Sequence, residues 1–164
     1  MNPRLLIASG IFHPEAGGPA TYLYELLPAL QQRGWDIQVI TYGDAPATGY
    51  PYPLVRIPRR ALPLRMIDYG RRALPLLRAA DLVYMHTLGL PLPGGAAPRI
   101  LKIVGDQAWE RAVRRGWVPA TEDIDAFQHR VYSPIVQLQK LARSREVRGV
   151  DRVIVPGEYL RRMV

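Results

Sequence analysis

Apolar residues follow two rhythms along this chain. Arg4-Leu5-Leu6-Ile7-Ala8-Ser9 is a short apolar run ending at Gly10, the pattern of a strand buried on both faces of a parallel sheet. From Pro19 to Gly34 the apolar residues Tyr22, Leu23, Leu26, Leu27 and Leu30 recur at helical spacing, with Pro19 in the first turn and Gly34 at the C-terminal cap. Pro28 lies inside this helix and predicts a kink, because it removes a donor and crowds the preceding turn. Trp35-Asp36-Ile37-Gln38-Val39-Ile40-Thr41 then reads as a second strand. The opening is therefore strand, glycine loop, helix, strand.

The same alternation continues. Residues 43–53, rich in Gly, Pro and Tyr, form a loop, and Leu54-Val55-Arg56-Ile57 is a short strand. A helix is predicted over 65–78, bent near Pro75, followed by a strand at Asp81-Leu82-Val83-Tyr84-Met85-His86. After the Pro/Gly-rich stretch Leu90 to Pro98 comes the strand Arg99-Ile100-Leu101-Lys102-Ile103-Val104, stopped by Gly105-Asp106. Ala108 to Arg115 has helical character, and residues 122–148 read as one long helical region bent at Pro134 and closed by Gly149. Asp151-Arg152-Val153-Ile154-Val155 is a last strand, and a helix begins at Gly157 and runs to Val164. About six strands separated by helices or crossovers predict a doubly wound, mostly parallel α/β sheet, with ligands at the carboxyl ends of its strands. The chain stops inside the last predicted helix with no polar tail, so the expectation is a piece of a longer protein.

With 164 residues, 48% hydrophobic and 22% charged, the chain can bury one substantial core. It has no apolar run long enough for a membrane span or a secretory leader, and no cysteine for a disulfide framework or thiolate cluster, so the expected location is cytoplasmic. The net charge of +8 is uneven: residues 1–58 hold three Arg against four acids, and the remainder holds 19 basic groups against 10 acids. That surplus suits a phosphorylated ligand, a nucleic acid or an anionic leaflet, and charge alone does not choose among them.

The loop Gly10-Ile11-Phe12-His13-Pro14-Glu15-Ala16-Gly17-Gly18-Pro19 carries the most chemistry. Paired glycines let backbone N–H groups approach a ligand, and the helix start behind them favours negative charge such as a pyrophosphate. The loop lacks the Gly-Lys-Ser/Thr of a Walker A motif and the Gly-x-Gly-x-x-Gly spacing of a dinucleotide fold. An ordinary glycine-rich turn remains the alternative.

This segment resembles the opening of glycosyltransferase family 4: a strand, a Pro-x-x-Gly-Gly loop, and a Leu-rich helix ending in Arg-Gly. Here these stand as Pro14 to Gly18, then Leu23, Leu26, Leu27 and Leu30, then Arg33-Gly34. Val104-Gly105-Asp106-Gln107-Ala108-Trp109-Glu110 is similar to a Gly-Asp-x-x-Trp-Glu signature of one branch of that family. Val153-Ile154-Val155-Pro156-Gly157-Glu158-Tyr159-Leu160 resembles its strand-Pro-Ser-x-Tyr-Leu entry into a helix. Two departures stand out: Gly157 replaces the common Ser, and Gly105-Asp106 stands where many members have His.

The resemblance implies one Rossmann-like half of a two-domain GT-B enzyme, residues 1–164 being the N-terminal, acceptor-side domain. It implies a retaining, metal-independent transfer of a sugar, a hexose by expectation, from a nucleotide-sugar to an acceptor, with no separate cofactor. The C-terminal domain that binds the nucleotide-sugar lies outside these residues, and the fragment alone is expected to be inactive. Gly17 and Gly18 would offer N–H groups to the donor phosphate. Acceptor or sugar contacts are expected among His13, His86, Gly105 and Asp106, with Asp106 the catalytic candidate. Asp106 equally suits the N-cap of the following helix, and Trp109 suits packing better than a sugar platform. His13, His86 and His129 lack metal-ligand spacing, so no metal is expected.

In segment 59–78, Arg59, Arg60, Arg65, Arg71, Arg72 and Arg78 alternate with Leu62, Leu64, Met66, Ile67, Leu74, Leu76 and Leu77. Such a segment either packs its apolar face on the sheet and solvates its arginines, or rests on an anionic membrane. The membrane reading implies a lipid-linked acceptor. Two other functions compete: a dinucleotide-binding oxidoreductase domain with Asp44 near the ribose, and a basic nucleic-acid module resting on charge alone.

Overall fold

The computed structural model describes residues 2–163, the side chain of Met163 excepted. Its strands are β1 (Arg4–Ala8), β2 (Asp36–Tyr42), β3 (Leu54–Ile57), β4 (Leu82–Met85), β5 (Arg99–Lys102) and β6 (Arg152–Ile154). Its helices are α1 (Gly18–Gln32), α2 (Leu62–Ala79), α3 (Gln107–Arg114), α4 (Ile124–His129), α5 (Pro134–Arg148) and α6 (Glu158–Met163). The strand order β3-β2-β1-β4-β5-β6 is that of a doubly wound Rossmann-like sheet. β1 pairs in parallel with β2, Arg4 opposite Asp36, and with β4, Leu5 opposite Leu82, while β2 pairs in parallel with β3, Val39 opposite Leu54.

The chain divides into two compact units, Met1–Ile100 and Leu101–Val164. In the first, the alternation of β1 and β2 sorts the core between two sheet faces. Leu5, Ile7, Ile37 and Val39 face one way and pack with Leu23 and Leu27 of α1, Phe12, Tyr52, Leu54 and Tyr84. Leu6, Ala8 and Ile40, equally buried, face the other way. There α2, whose buried residues Tyr69, Ala73 and Leu77 recur every fourth position, packs against β1, β2 and β3. The Tyr69 hydroxyl donates to the carbonyl of Ile40 at 3.2 Å, so its polar end is satisfied inside the core.

Helix α1 is continuous through Pro28 and ends where the Arg33-Gly34 pair predicts. Gly34 has φ 87°, and the amides of Gly34 and Trp35 turn back to the carbonyls of Gln31 and Leu30 at 2.9 and 3.2 Å. This is a Schellman stop, and the left-handed residue it needs is most easily a glycine.

In the second unit, a small cluster of Ala108, Ala112, Val118, Phe127 and Val136 packs with Trp109, Trp117 and Tyr132. The long helix expected over 122–148 is two helices. Asp123 caps α4, its Oδ1 accepting from the amides of Asp125 and Ala126 at 2.8 and 3.2 Å. Arg130 then leaves the helix with ψ 149°, and Pro134 opens α5. Proline has no N–H and drives the preceding residue out of the helical region, so it begins a helix here where a bend was expected. The helix expected from Gly157 is α6, Val164 lying outside the described residues.

Candidate functional site

The strand order reverses between β1 and β4, and the carboxyl ends of these two strands meet at Gly10 and Thr87. The amide of Gly10 donates to Thr87 Oγ1 at 2.9 Å, and Thr87 Oγ1 donates to the His86 carbonyl at 2.7 Å. A Cβ at Gly10 would lie 3.0 Å from Thr87 Cγ2, so any larger residue there would have to push the Thr87 side chain aside by a few tenths of an ångström. Open α/β sheets bind ligands at such a switch point. The glycine loop starts at it.

From Phe12 to Glu15 the loop is held by side chains from the β2–β3 region. Tyr50 donates its hydroxyl to the His13 carbonyl at 2.7 Å, and Arg56 Nη2 donates to the same oxygen. The Tyr50 hydroxyl also lies 3.0 Å from His13 Nδ1, within hydrogen-bond reach of the ring. The His13 ring stacks on Tyr24 at 4.0 Å between centroids. The His13–Pro14 peptide is cis. Glu15 pairs with Arg59, whose own amide donates to Asp44 Oδ1 at 3.0 Å. Arg56 is buried; its Nε donates to the Pro46 carbonyl at 3.2 Å, and its Nη1 has no hydrogen-bond partner.

After Glu15 the chain enters α1, with Gly17 as its N-cap and Gly18 as its first residue. No side chain caps this helix, its first turn contains no acid, and Pro19 takes a place where a missing N–H costs nothing. The start of α1 thus presents main-chain donors and the positive end of a helix dipole without an internal anion to neutralise them. A Cβ at Gly18 would meet nothing within 4 Å.

The first unit thus brings the sequence candidates Gly17, Gly18 and His13 into one loop. His86 stands at the end of β4, buried against Tyr22 and Tyr84 with ring centroids 5.2 and 6.2 Å away. Asp44, the acid considered for a dinucleotide ribose, is engaged with the Arg59 amide.

Gly105 and Asp106 belong to the second unit. Asp106 is the N-cap of α3, its Oδ1 accepting from the amides of Ala108 and Trp109 at 2.9 and 3.1 Å. Its Oδ2 accepts from Gln128 Nε2 at 2.6 Å and pairs with Arg143. Arg143 Nη2 also donates to Gln128 Oε1 at 3.0 Å, closing a half-buried network across α3, α4 and α5. Trp109 packs in the apolar cluster and donates Nε1–H to the Glu122 carbonyl at 3.2 Å. A Cβ at Gly105 would fall 2.4 Å from Glu110 Oε1, so the Glu110 carboxylate lies directly over that glycine.

Sequence reading missed Tyr50, Arg56, Thr87, Gln128 and Arg143. Arg56 carried a signal, a single charge inside an apolar strand. Arg143 carried none, being one of several arginines on α5. Among the described residues no group of three or more His, Asp or Glu is placed to hold a metal ion, and no helix is long and apolar enough to cross a membrane.

A mostly parallel sheet of this order, with a glycine loop running from its switch point into an uncapped helix, defines a Rossmann-like domain. Residues 16–164 match the profile of Glycosyltransferase Family 4, and the chain belongs to that family. No curated protein matches the chain.

Proposed function

We propose that the chain is the N-terminal, acceptor-side half of a cytoplasmic, retaining, metal-independent glycosyltransferase of GT-B architecture, which moves a hexose from a nucleotide-sugar to an acceptor hydroxyl. The nucleotide-sugar is held chiefly by a second, C-terminal Rossmann-like domain, and turnover requires both. The observation that carries this reading is the start of α1 at Gly17-Gly18, next to the sheet's switch point and without a side-chain cap or first-turn acid, in a chain of this family.

In the transfer, the bond between the sugar's anomeric carbon and the diphosphate oxygen breaks, and its electron pair goes to the diphosphate. The acceptor oxygen bonds to that carbon on the same face, and its proton passes to the departing phosphate. Negative charge therefore grows on the phosphate in the transition state. The Gly17 and Gly18 amides and the α1 dipole stabilise charge at that place, and already-oriented donors need no reorganisation as the bond breaks. Loss of one such donor costs about 10²–10³ in rate in other enzymes.

His86 and the His13 loop border the acceptor side of the same strand ends. Asp106, with both oxygens engaged, is a positioning residue that sets the turn at Gly105 and the start of α3.

The test is an assay of the natural full-length protein against a panel of uridine, guanosine and adenosine diphosphate sugars, following release of nucleoside diphosphate with and without added acceptors. Turnover of one donor, with the anomeric configuration kept in the product and unaffected by chelator, is the expected result. Folded full-length protein that turns over none of them would sink the proposal.

A further inference from the structure

We propose that the head of α2 is a docking surface for an anionic lipid bilayer, and that the acceptor of the transfer proposed above is accordingly carried on a lipid. The second half rests on that transferase reading, whereas the first stands on the surface alone.

Helix α2 meets the sheet with Tyr69, Ala73 and Leu77. A helix packed by that face alone should be polar elsewhere. Instead its first two turns expose Leu62, Leu64, Met66 and Ile67, at 57%, 60%, 38% and 59% of full accessibility. Ala61 and Pro63 are exposed beside them, so the tip of the helix is an apolar prow.

Its charge is one-sided. Segment 59–78 contains six arginines and one acid, Asp68, which is paired with Arg72 at 3.0 Å. Arg60, Arg71 and Arg72 are exposed, and Arg65 lays its guanidinium over the Tyr42 ring at 5.3 Å. Apolar side chains ringed by arginine fit a surface with acyl chains beneath anionic headgroups. A second copy of this chain fits poorly, since each copy carries a net charge of +8.

The position connects this surface to the candidate site. Because β3 is parallel to its neighbours and α2 follows it directly, the head of α2 stands at the carboxyl edge of the sheet. The Arg59–Glu15 ion pair ties that head to the glycine loop. A bilayer against Leu62, Leu64 and Ile67 would thus lie at the edge from which the loop's ligands are reached.

The experiment is co-sedimentation of the protein with vesicles of phosphatidylcholine alone and of phosphatidylcholine mixed with phosphatidylglycerol, at low and high salt. Three proteins are compared: wild type, Leu64→Ser/Ile67→Ser, and Arg60→Glu/Arg71→Glu. Binding only to the anionic vesicles, weakened about tenfold or more by either double variant and by salt, is expected from the joint apolar and charge terms. The altered residues are solvent-exposed, and unchanged circular dichroism would show that folding is intact. Equal sedimentation of all three proteins, or none with anionic vesicles, overturns the proposal. So does self-association in analytical ultracentrifugation that Leu64→Ser/Ile67→Ser abolishes. No sugar donor is present, so this result is independent of the transferase assay. A soluble acceptor used as efficiently as its lipid-linked form would overturn the acceptor assignment alone.

Discussion

Arg143 closes on Asp106 across 37 residues of sequence, and the pair is half-buried, with 17% of the Arg143 side chain and 4% of the Asp106 side chain exposed. The same carboxylate caps α3, so one side chain performs two tasks that substitution can separate. Asp106→Asn retains an oxygen for the cap and loses the charge, leaving the half-buried Arg143 without its counter-ion. A loss of about 3 kcal/mol is expected, the low end of the scale for breaking a buried pair. Asp106→Ala also removes the cap and should cost about 1 kcal/mol more. Adding Arg143→Met to Asp106→Asn should recover part of the loss, because the orphaned charge goes with it. Urea unfolding of wild type, the two Asp106 variants, Arg143→Met and the Asp106→Asn/Arg143→Met double variant measures this, and additive losses in the double variant would contradict the coupling.

Two glycines of the first unit should respond in opposite ways to one added methyl group. A Cβ at Gly18 meets nothing within 4 Å, whereas at Gly43 it would fall 2.4 Å from Glu15 Oε1 and 3.0 Å from Arg56 Nη1. Gly18→Ala should leave the melting temperature unchanged or slightly raised, since alanine reduces the freedom of the unfolded chain. Gly43→Ala should lower stability by about 1–3 kcal/mol, because its φ of 151° is a conformation that L side chains rarely adopt and the Glu15 carboxylate must also shift. In the full-length enzyme the order reverses for donor turnover: Gly18→Ala should reduce kcat/KM about tenfold or more by holding the phosphate away from the amides. Unchanged kcat/KM in a folded Gly18→Ala enzyme would remove that glycine from the donor site.

Arg56 anchors the loop from beneath through the carbonyls of His13 and Pro46. Arg56→Met keeps much of the apolar stem but leaves the Pro46 carbonyl without this donor and the His13 carbonyl with Tyr50 alone. The expected cost is about 1–3 kcal/mol. Its effect should be local, seen as faster amide hydrogen exchange in residues 12–18 than in β1 or β2. Uniform acceleration across the first unit would show that Arg56 supports the core as a whole.

The sheet was legible because its strands are short apolar runs bounded by glycine, such as Leu5 to Gly10 and Leu101 to Gly105. Parallel strands buried on both faces leave that mark without any knowledge of partners. Gly34 marked the end of α1 for an equally local reason. Pro134 was legible as a break but not as a start, since a proline inside a helical pattern is compatible with both a kink and a first turn. The head of α2 escaped the expected span of 65–78 because Leu62 and Leu64 do not belong to the face that packs on the sheet. At the candidate site, Gly17 and Gly18 were visible from their pairing, and Asp106 from its place after a strand. The contacts that decide how Asp106 is used come from Gln128 and Arg143, and those that fasten His13 come from Tyr50 and Arg56. Such partners are set by folding, and no spacing in the chain encodes them.

Alkaline pH should unfold the first unit through its buried phenols. Burial raises Tyr52 to about 12, with a further upward push from Tyr50 and Tyr24. Burial also raises Tyr69 well above its ordinary value, reinforced by Tyr42 and opposed by the bond to the Ser9 carbonyl. Tyr84 is raised by burial and then by Tyr22, and Tyr42 by burial against the opposing charge of Arg65. In the unfolded chain each phenol would ionise near its ordinary value of 10.0. Between that value and the folded one, the folded chain holds protons that the unfolded chain has released, so stability falls with rising pH. The contribution is complete below pH 10 and is lost as pH climbs through about 12 for Tyr52. A titration followed by phenolate absorbance should therefore show these four tyrosines of the first unit ionising late, alongside Tyr132 and Tyr159 of the second unit, which are also raised, together with the loss of helical circular dichroism. All nine titrating reversibly around pH 10 with the circular dichroism intact would mean that Tyr52 and Tyr69 are not sealed in the core described here.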